Sequence, residues 1–285
     1  MPGTAVAIPT SAEETNLNVQ SMSSHTPPDP HRTAVVIPAA GRGVRLGPGT
    51  PKALRTLSGT PILVHAVRAM ARARTVSLVV VVAPPDGVVD VHTLLDEHLL
   101  AQTLEGVDLL VVPGGANRQE SVRRGLAALP EDVRSVLVHD AARPLVPVDL
   151  VDAVAAAVRA GEVAVVPALP VPDTVKQVAP GERPGAPEPV VDTPERSRLR
   201  AVQTPQGFER ETLLKAHEQQ HDPAGTQGTH GPDDPGATDD AGLVERLGAR
   251  VVVVPGHEEA FKVTRPLDLV LAEAVLARRR ANDGF

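Results

Sequence analysis

Thr33-Ala34-Val35-Val36-Ile37-Pro38 runs straight into Ala39-Ala40-Gly41-Arg42-Gly43-Val44-Arg45-Leu46-Gly47. A short apolar run rich in β-branched residues, ending in small residues, reads as a strand buried on both faces. The glycine-rich run after it reads as a loop whose backbone can approach a ligand closely and aim N–H groups at anionic oxygens. Arg45 and Lys52 place positive charge nearby.

Outward from this point the same rhythm repeats. Thr60-Pro61 predicts a helix start with proline at the first helical position, and Ile62, Ala66, Ala69, Met70 and Ala73 follow at helical spacing. Val76–Val82, Val107–Val112, Val136–His139 and Val163–Pro167 read as further strands, separated by helical patterns around Val91–Leu99, Val122–Leu129 and the residues after Pro147. Strands alternating with helices, several of them almost uniformly apolar, predict a Rossmann-like α/β fold: a mostly parallel sheet with helices on both faces. The rhythm breaks at 170–200. There Thr174–Val178 and Pro189–Asp192 flank a proline-rich stretch, which predicts a protruding β-arm over about 170–197. A core strand is expected at Leu199–Gln203, then a helix near Glu209–Gln219, a helix at Ala241–Leu247, a strand at Arg250–Val254 and a closing helix at Pro266–Arg279. Residues 1–31 lack both a sustained period and a basic start followed by an apolar stretch, so they read as a disordered tail rather than a secretory signal. Residues 221–237, rich in Gly, Pro, His and Asp, read as a flexible loop, and 32–280 as one folded domain.

Composition removes whole classes of function. The 285 residues carry a formal charge of −7, and they include no Tyr, no Trp and three Phe. A general nucleic-acid binder would need a basic face or aromatic stacking platforms. The absence of Cys excludes disulfides, thiolate metal sites and a Cys nucleophile. No apolar run approaches the roughly 18 residues of a membrane span. A cytoplasmic location is the default expectation. The glycine loop also fails two common nucleotide motifs. After Gly41 and Gly43 the dinucleotide fingerprint would need glycine where Leu46 stands, and the Walker A spacing from Gly41 also lands on Leu46.

The ordered motifs narrow the reading. Ala39-Ala40-Gly41-x-Gly43-x-Arg45 with Pro51-Lys52 resembles the sugar-phosphate and polyol-phosphate nucleotidyltransferases. Further along stand Gly114-Gly115-x-x-Arg118-x-x-Ser121-Val122, His139-Asp140-Ala141-Ala142-Arg143-Pro144 and Asp173-Thr174-Val175-Lys176. Ala201 to Phe208, Thr238-Asp239-Asp240-Ala241 and Lys262-Val263-Thr264-Arg265-Pro266 complete the series. In this order, over about 33–280, the set resembles the 2-C-methyl-D-erythritol 4-phosphate cytidylyltransferase family of the non-mevalonate isoprenoid route.

The resemblance implies a reaction and roles for residues. CTP and methylerythritol phosphate would be the substrates, and diphosphate would be released. Both substrates are anionic, so the site needs fixed cations and a divalent metal, with Mg²⁺ expected, while the ionised acceptor phosphate needs no strong base. By resemblance Arg45, Lys52, Arg196 and Lys262 are the catalytic cations. Ala39, Ala40, Gly41, Gly43, Gly114, Gly115, Ser121 and Asp140 would bind CTP, and Arg143, Thr174, Arg196, Thr204, Thr238 and Lys262 the acceptor. Arg118 would orient the second glycine loop or meet phosphate. Asp140 would position the ribose or help hold Mg²⁺, which would sit mostly on the triphosphate. The family arm implies a homodimer in which Thr174 and Arg196 serve the neighbouring site. The histidines, His217 among them, read as bystanders. Ala53, Ala116 and Asp240 stand where many relatives carry Gln, Asp and Glu. Two other readings stay open: a ribitol-5-phosphate cytidylyltransferase of the same fold, and a non-catalytic nucleotide-binding regulator.

Overall fold

The computed structural model describes residues 32–41, 52–99, 104–219 and 238–283. In chain order its strands are β1 (Thr33–Pro38), β2 (Thr56–Leu57), β3 (Thr60–Pro61), β4 (Val76–Ala83), β5 (Asp108–Pro113), β6 (Ser135–Val138) and β7 (Ala164–Pro170), then β8 (Gln177–Val178), β9 (Val190–Asp192), β10 (Arg200–Val202), β11 (Gln206–Glu209) and β12 (Val252–Pro255). The helices are α1 (Ile62–Ala71), α2 (Val88–His98), α3 (Arg118–Ala127), α4 (Val148–Arg159), α5 (Arg210–Gln219), α6 (Asp240–Arg246) and α7 (Pro266–Asp283). The expected tail and the 221–237 loop lie outside the described residues.

The main sheet runs β5-β4-β1-β6-β11-β7, with β10 and β12 also paired to β7. β5, β4, β1 and β6 are parallel, as are β7 and β12. The period of two along these strands divides the core. Val35, Ile37, Val79, Val81, Leu137 and Val165 join the buried residues of α1, α2 and α4 on one face. Ala34, Val36, Val80, Val82, Val136, Val138 and Phe208 join α3, α5 and α6 on the other. A smaller cluster seats α7 on Leu57, Ile62 and Leu145. The Rossmann-like reading therefore holds. β1 and β4 are apolar along almost their whole length because both of their faces are covered.

Two expectations need correction. Leu199–Gln203 was expected to form a core strand, yet β10 is exposed along its whole length. The strand that enters the core is β11, inserted antiparallel between β6 and β7, with Phe208 fully buried. Four residues containing a glycine and two polar groups carry no periodic signal, so their burial follows from the neighbours that close over them. Pro61 also sits at the N-cap rather than at the first helical position, while the helix expected after Pro147 starts at Val148 with Pro147 as its N-cap. The expected hairpin in the arm is present, with β8 and β9 antiparallel and, among the described residues, paired only with each other.

Gly125 shows how closely α3 approaches the sheet. A Cβ there would lie 2.5 Å from Val36 Cγ1 and 2.9 Å from Val82 Cγ2, on the two central strands. Gly125→Val should lower unfolding stability by about 1–3 kcal/mol through overpacking, read as a reduced midpoint in denaturant melts.

Candidate active site

The carboxyl ends of β1, β4, β5 and β6 lie side by side, the place where parallel sheets present ligand-binding loops. The loops leave the sheet in register. Ala39 N–H donates to Val82 O (2.8 Å), Gly114 N–H to Ala83 O (2.7 Å) and His139 N–H to Val36 O (2.9 Å). Between them opens a cleft of about 230 Å³, lined by Pro38, Ala40, Gly41, Gly115, Ala116, Asn117, Arg118, Ser121 and Asp140. Five of the expected CTP residues are thus brought into one cavity.

The second glycine loop is held tightly. Gly114 has no room for a side chain, because a Cβ would stand 2.7 Å from Ala40 Cβ and 3.0 Å from Ser121 Oγ. Ser121 Oγ accepts from Gly115 N–H (3.1 Å) and donates to Asn117 O (2.8 Å). Asn117 caps α3 by accepting from Glu120 N–H (2.8 Å), while the Glu120 carboxylate reaches back to accept from Ala116 N–H (2.8 Å). Reciprocal capping of this kind holds the turn. Arg124 then ties Gly114 O (2.6 Å) to Glu120. The loop at 114–117 is a preformed rim, and Ser121 is committed to the loop's own backbone.

Charge converges on Asp140 at the cleft floor. Its Oδ2 meets Lys262 Nζ at 2.7 Å and its Oδ1 lies 3.6 Å from Arg118 Nη2. Lys262 arrives from the far end of the chain because Val263 N–H donates to Ala142 O (2.8 Å). Burial works to raise the Asp140 pKa, but the Lys262 and Arg118 charges outweigh it and hold the carboxyl at about 2. Arg118 also pairs with Asp240, at 2.8 Å from Nη1 to Oδ2. Burial disfavours the Arg118 charge, yet Asp240 and Asp140 more than offset this and raise its pKa.

Behind Asp140 lies a neutral histidine. His139 is fully buried, and its Nε2 sits 3.1 Å from Arg143 O, which assigns the ring hydrogen to Nε2. Nδ1 then accepts from Thr204 Oγ1 (3.1 Å), and Thr204 Oγ1 accepts from Asp140 N–H (3.1 Å). Burial drives the His139 pKa from 6.5 down to about 4, and the Asp140 charge offsets only part of it.

The remaining expected residues are placed as follows. Ala39 and Gly114 lie just behind the lining residues. Thr204 is buried, with its hydroxyl engaged by His139 and Asp140. Arg143 was expected at the acceptor, but its guanidinium donates to Ala260 O (2.6 Å) and Val202 O (3.4 Å), which makes it a strut between segments. Thr174 and Arg196 are exposed on the arm, where Arg196 donates to Pro172 O (2.7 Å), and neither lines the cleft. Thr238 is exposed two residues before Asp240. Gly43 and Arg45 lie outside the described residues, as does the Lys52 side chain, whose backbone begins a short 3₁₀ turn. Asn117, Asp240 and His217 were missed as site residues. The cap signal at Asn117 and the acidic pair opening α6 were visible. Nothing in the sequence marked His217, which is buried on α5 against Asp240.

Among the described residues no three His, Asp or Glu side chains gather as a metal cage. No helix among them is long and apolar enough to cross a membrane.

The chain matches the family model described as 2-C-methyl-D-erythritol 4-phosphate cytidylyltransferase over residues 33–278. A relative of that name from Streptomyces avermitilis is 69% identical over 266 residues, covering 93% of this chain and 100% of its own. Another, from Streptomyces coelicolor, is 70% identical and covers 90% and 89%. The crystal structure of the Thermus thermophilus 2-C-methyl-D-erythritol 4-phosphate cytidylyltransferase superposes with a TM-score of 0.61 at 38% identity, covering 86% of this chain and 98% of that one.

The neutral His139 has a measurable consequence. Below pH 6.5 the unfolded chain takes up a proton at His139 that the folded chain refuses until about pH 4. Stability from this group is therefore complete above pH 6.5 and declines as pH falls towards 4, by about 3 kcal/mol in all. Urea melts at pH 7.0, 5.5 and 4.5 should show this decline, and His139→Gln should flatten it. Asp140, held at about 2 in the folded chain against 3.8 unfolded, adds a smaller decline of the same sign only at the acid end of that window.

Proposed function

The chain belongs to the 2-C-methyl-D-erythritol 4-phosphate cytidylyltransferase family, and on that premise we propose how its cleft carries out the family's reaction. The protein is a nucleotidyltransferase that joins CTP and 2-C-methyl-D-erythritol 4-phosphate and releases diphosphate. An acceptor phosphate oxygen attacks the α-phosphorus of CTP, a P–O bond forms in line, and the bond to the bridging oxygen of diphosphate breaks. No proton need move, because the nucleophile is already an anion.

The observation that carries this reading is the cleft at the carboxyl edge of the sheet, where Ala40, Gly41, Gly115, Ser121, Arg118 and Asp140 meet. The pyrimidine lies against the rigid 114–117 rim, where main-chain groups can read it without an aromatic partner. Arg118 faces the phosphates. Lys262, held beside Asp140 and still part-exposed, is placed to meet the acceptor phosphate. Arg45 and Lys52 supply the charge that balances the α-phosphoryl oxygens and the leaving diphosphate. Asp140 fits a divalent ion, being a carboxylate in the cleft that stays ionised at any working pH. Mg²⁺ would take most of its oxygen ligands from the triphosphate and would screen the charge between the two substrates.

The arm supports a homodimer. Val178, Val190 and Val191 are exposed on a hairpin that, among the described residues, pairs with no other strand, Val191 to 57%. Apolar residues presented this way favour burial against a second copy. The partner's cleft would then receive Thr174 and Arg196, which stand away from their own. A cytoplasmic location agrees with the supply of CTP.

Diphosphate release with CTP and Mg²⁺ should be fast with methylerythritol phosphate and slow with ribitol 5-phosphate; the reverse order would overturn the choice of acceptor. Lys52→Met should lower kcat by about 10²–10³ while leaving CTP affinity nearly intact, measured by steady-state kinetics beside calorimetric CTP binding. Val190→Asp/Val191→Asp should shift the protein from dimer to monomer in light scattering. Mixing inactive Arg196→Ala with inactive Lys52→Met subunits should restore part of the activity if the arm serves the partner.

A further inference from the structure

The ion pair that holds Arg118 continues into the interior. Asp240 is fully buried. Its Oδ2 lies 2.8 Å from Arg118 Nη1, a close ion pair. The carboxylate is also held from its other side. Oδ1 lies 3.0 Å from Nε2 of His217, a residue only 3% exposed. The start of α6 is held as well. Gln206 Nε2 donates to Asp239 Oδ2 (2.6 Å), and Gln206 Oε1 accepts from Ala241 N–H (3.2 Å). Burial works against the Asp240 charge, but the His217 hydrogen bond and Arg118 outweigh it, so the carboxyl remains ionised. Neither Asp240 nor His217 lines the cleft, and the reaction uses neither directly. A buried ion pair with its hydrogen bond costs much to break from either end.

We propose that His217 is a positioning residue for Arg118, acting through Asp240: the histidine orients the carboxylate, and the carboxylate holds the guanidinium where it meets the CTP phosphates. The proposal rests on the reading of this cleft as the CTP site. When Asp240 loses its orientation or charge, Asp140 remains paired with Arg118 at 3.6 Å, ahead of the weaker pull of Asp239. The guanidinium then moves towards Asp140, and the phosphates lose a fixed cation.

The test is a set of steady-state measurements on His217→Ala, His217→Gln, Asp240→Asn, Arg118→Ala and the Arg118→Ala/His217→Ala double variant. His217→Ala and Asp240→Asn should each raise the KM for CTP about tenfold, with little change in the KM for the acceptor. His217→Gln, which retains a donor, should recover most of that loss. The double variant should match Arg118→Ala alone, since a residue acting through another adds nothing once the other is gone. If His217→Ala does not fold, Asp240→Asn and its double with Arg118→Ala carry the same comparison. A parental KM for CTP in both His217→Ala and Asp240→Asn would overturn the relay, as would losses that multiply in the double variant. An Arg118→Ala enzyme with parental KM would instead overturn the placement of CTP in this cleft, and the relay with it.

Discussion

Asp140 holds the catalytic edge together by charge. Lys262 reaches it from 122 residues away and Arg118 from the start of α3, so one carboxylate ties the central strands of the sheet to both flanks of the cleft. An isolated ion at this depth would neutralise, because burial penalises charge. Two cations keep it ionised, and it keeps them in place. The pair also sets the electrostatic level of the site. Arg118 and Lys262 are nearly balanced by Asp140 and Asp240, so the cleft is ordered without carrying a large unpaired charge that would strain the fold.

The scaffold makes this possible by being almost wholly apolar below the edge. β1 and β4 are buried along nearly their whole lengths, with alternate residues feeding opposite layers of helices. Small residues then let the loops close. Gly125 brings α3 against Val36 and Val82, and Gly114 brings the second loop against Ala40. Once α3 lies that close, its first residue, Arg118, has little choice but to face the cleft between Asp140 and Asp240. The cation is placed by a packing constraint two helical turns further along α3.

Much of this was legible in the chain. Continuous apolar runs such as Thr33–Pro38 and Val76–Val82 could only be strands covered on both sides, and the glycine loops after them marked the ligand edge. β11 was not legible. Gln206-Gly207-Phe208-Glu209 has no period, and it enters the sheet by pairing its backbone with both β6 and β7 while Phe208 is buried in the core on one face. β10 shows the converse, since apolar residues of strand type at 201 and 202 ended up exposed on an edge. The motifs around Arg143 and Thr204 gave no sign that Arg143 would donate to the carbonyls of Ala260 and Val202, or that the Thr204 hydroxyl would bridge His139 and the Asp140 backbone.

By itself, the order of residues determined the layered α/β architecture, the two glycine loops and the family, because these rest on periodicity and on motifs local in the chain. Only the folded molecule decided which charges meet. His217 and Asp240, on either side of the segment at 220–237, touch through helices that must dock first, and Lys262 finds Asp140 through a backbone contact between 142 and 263. Electrostatic and hydrogen-bonding partners are chosen by distances of a few ångströms, and no spacing along the chain encodes a distance that arises between separate elements after they pack.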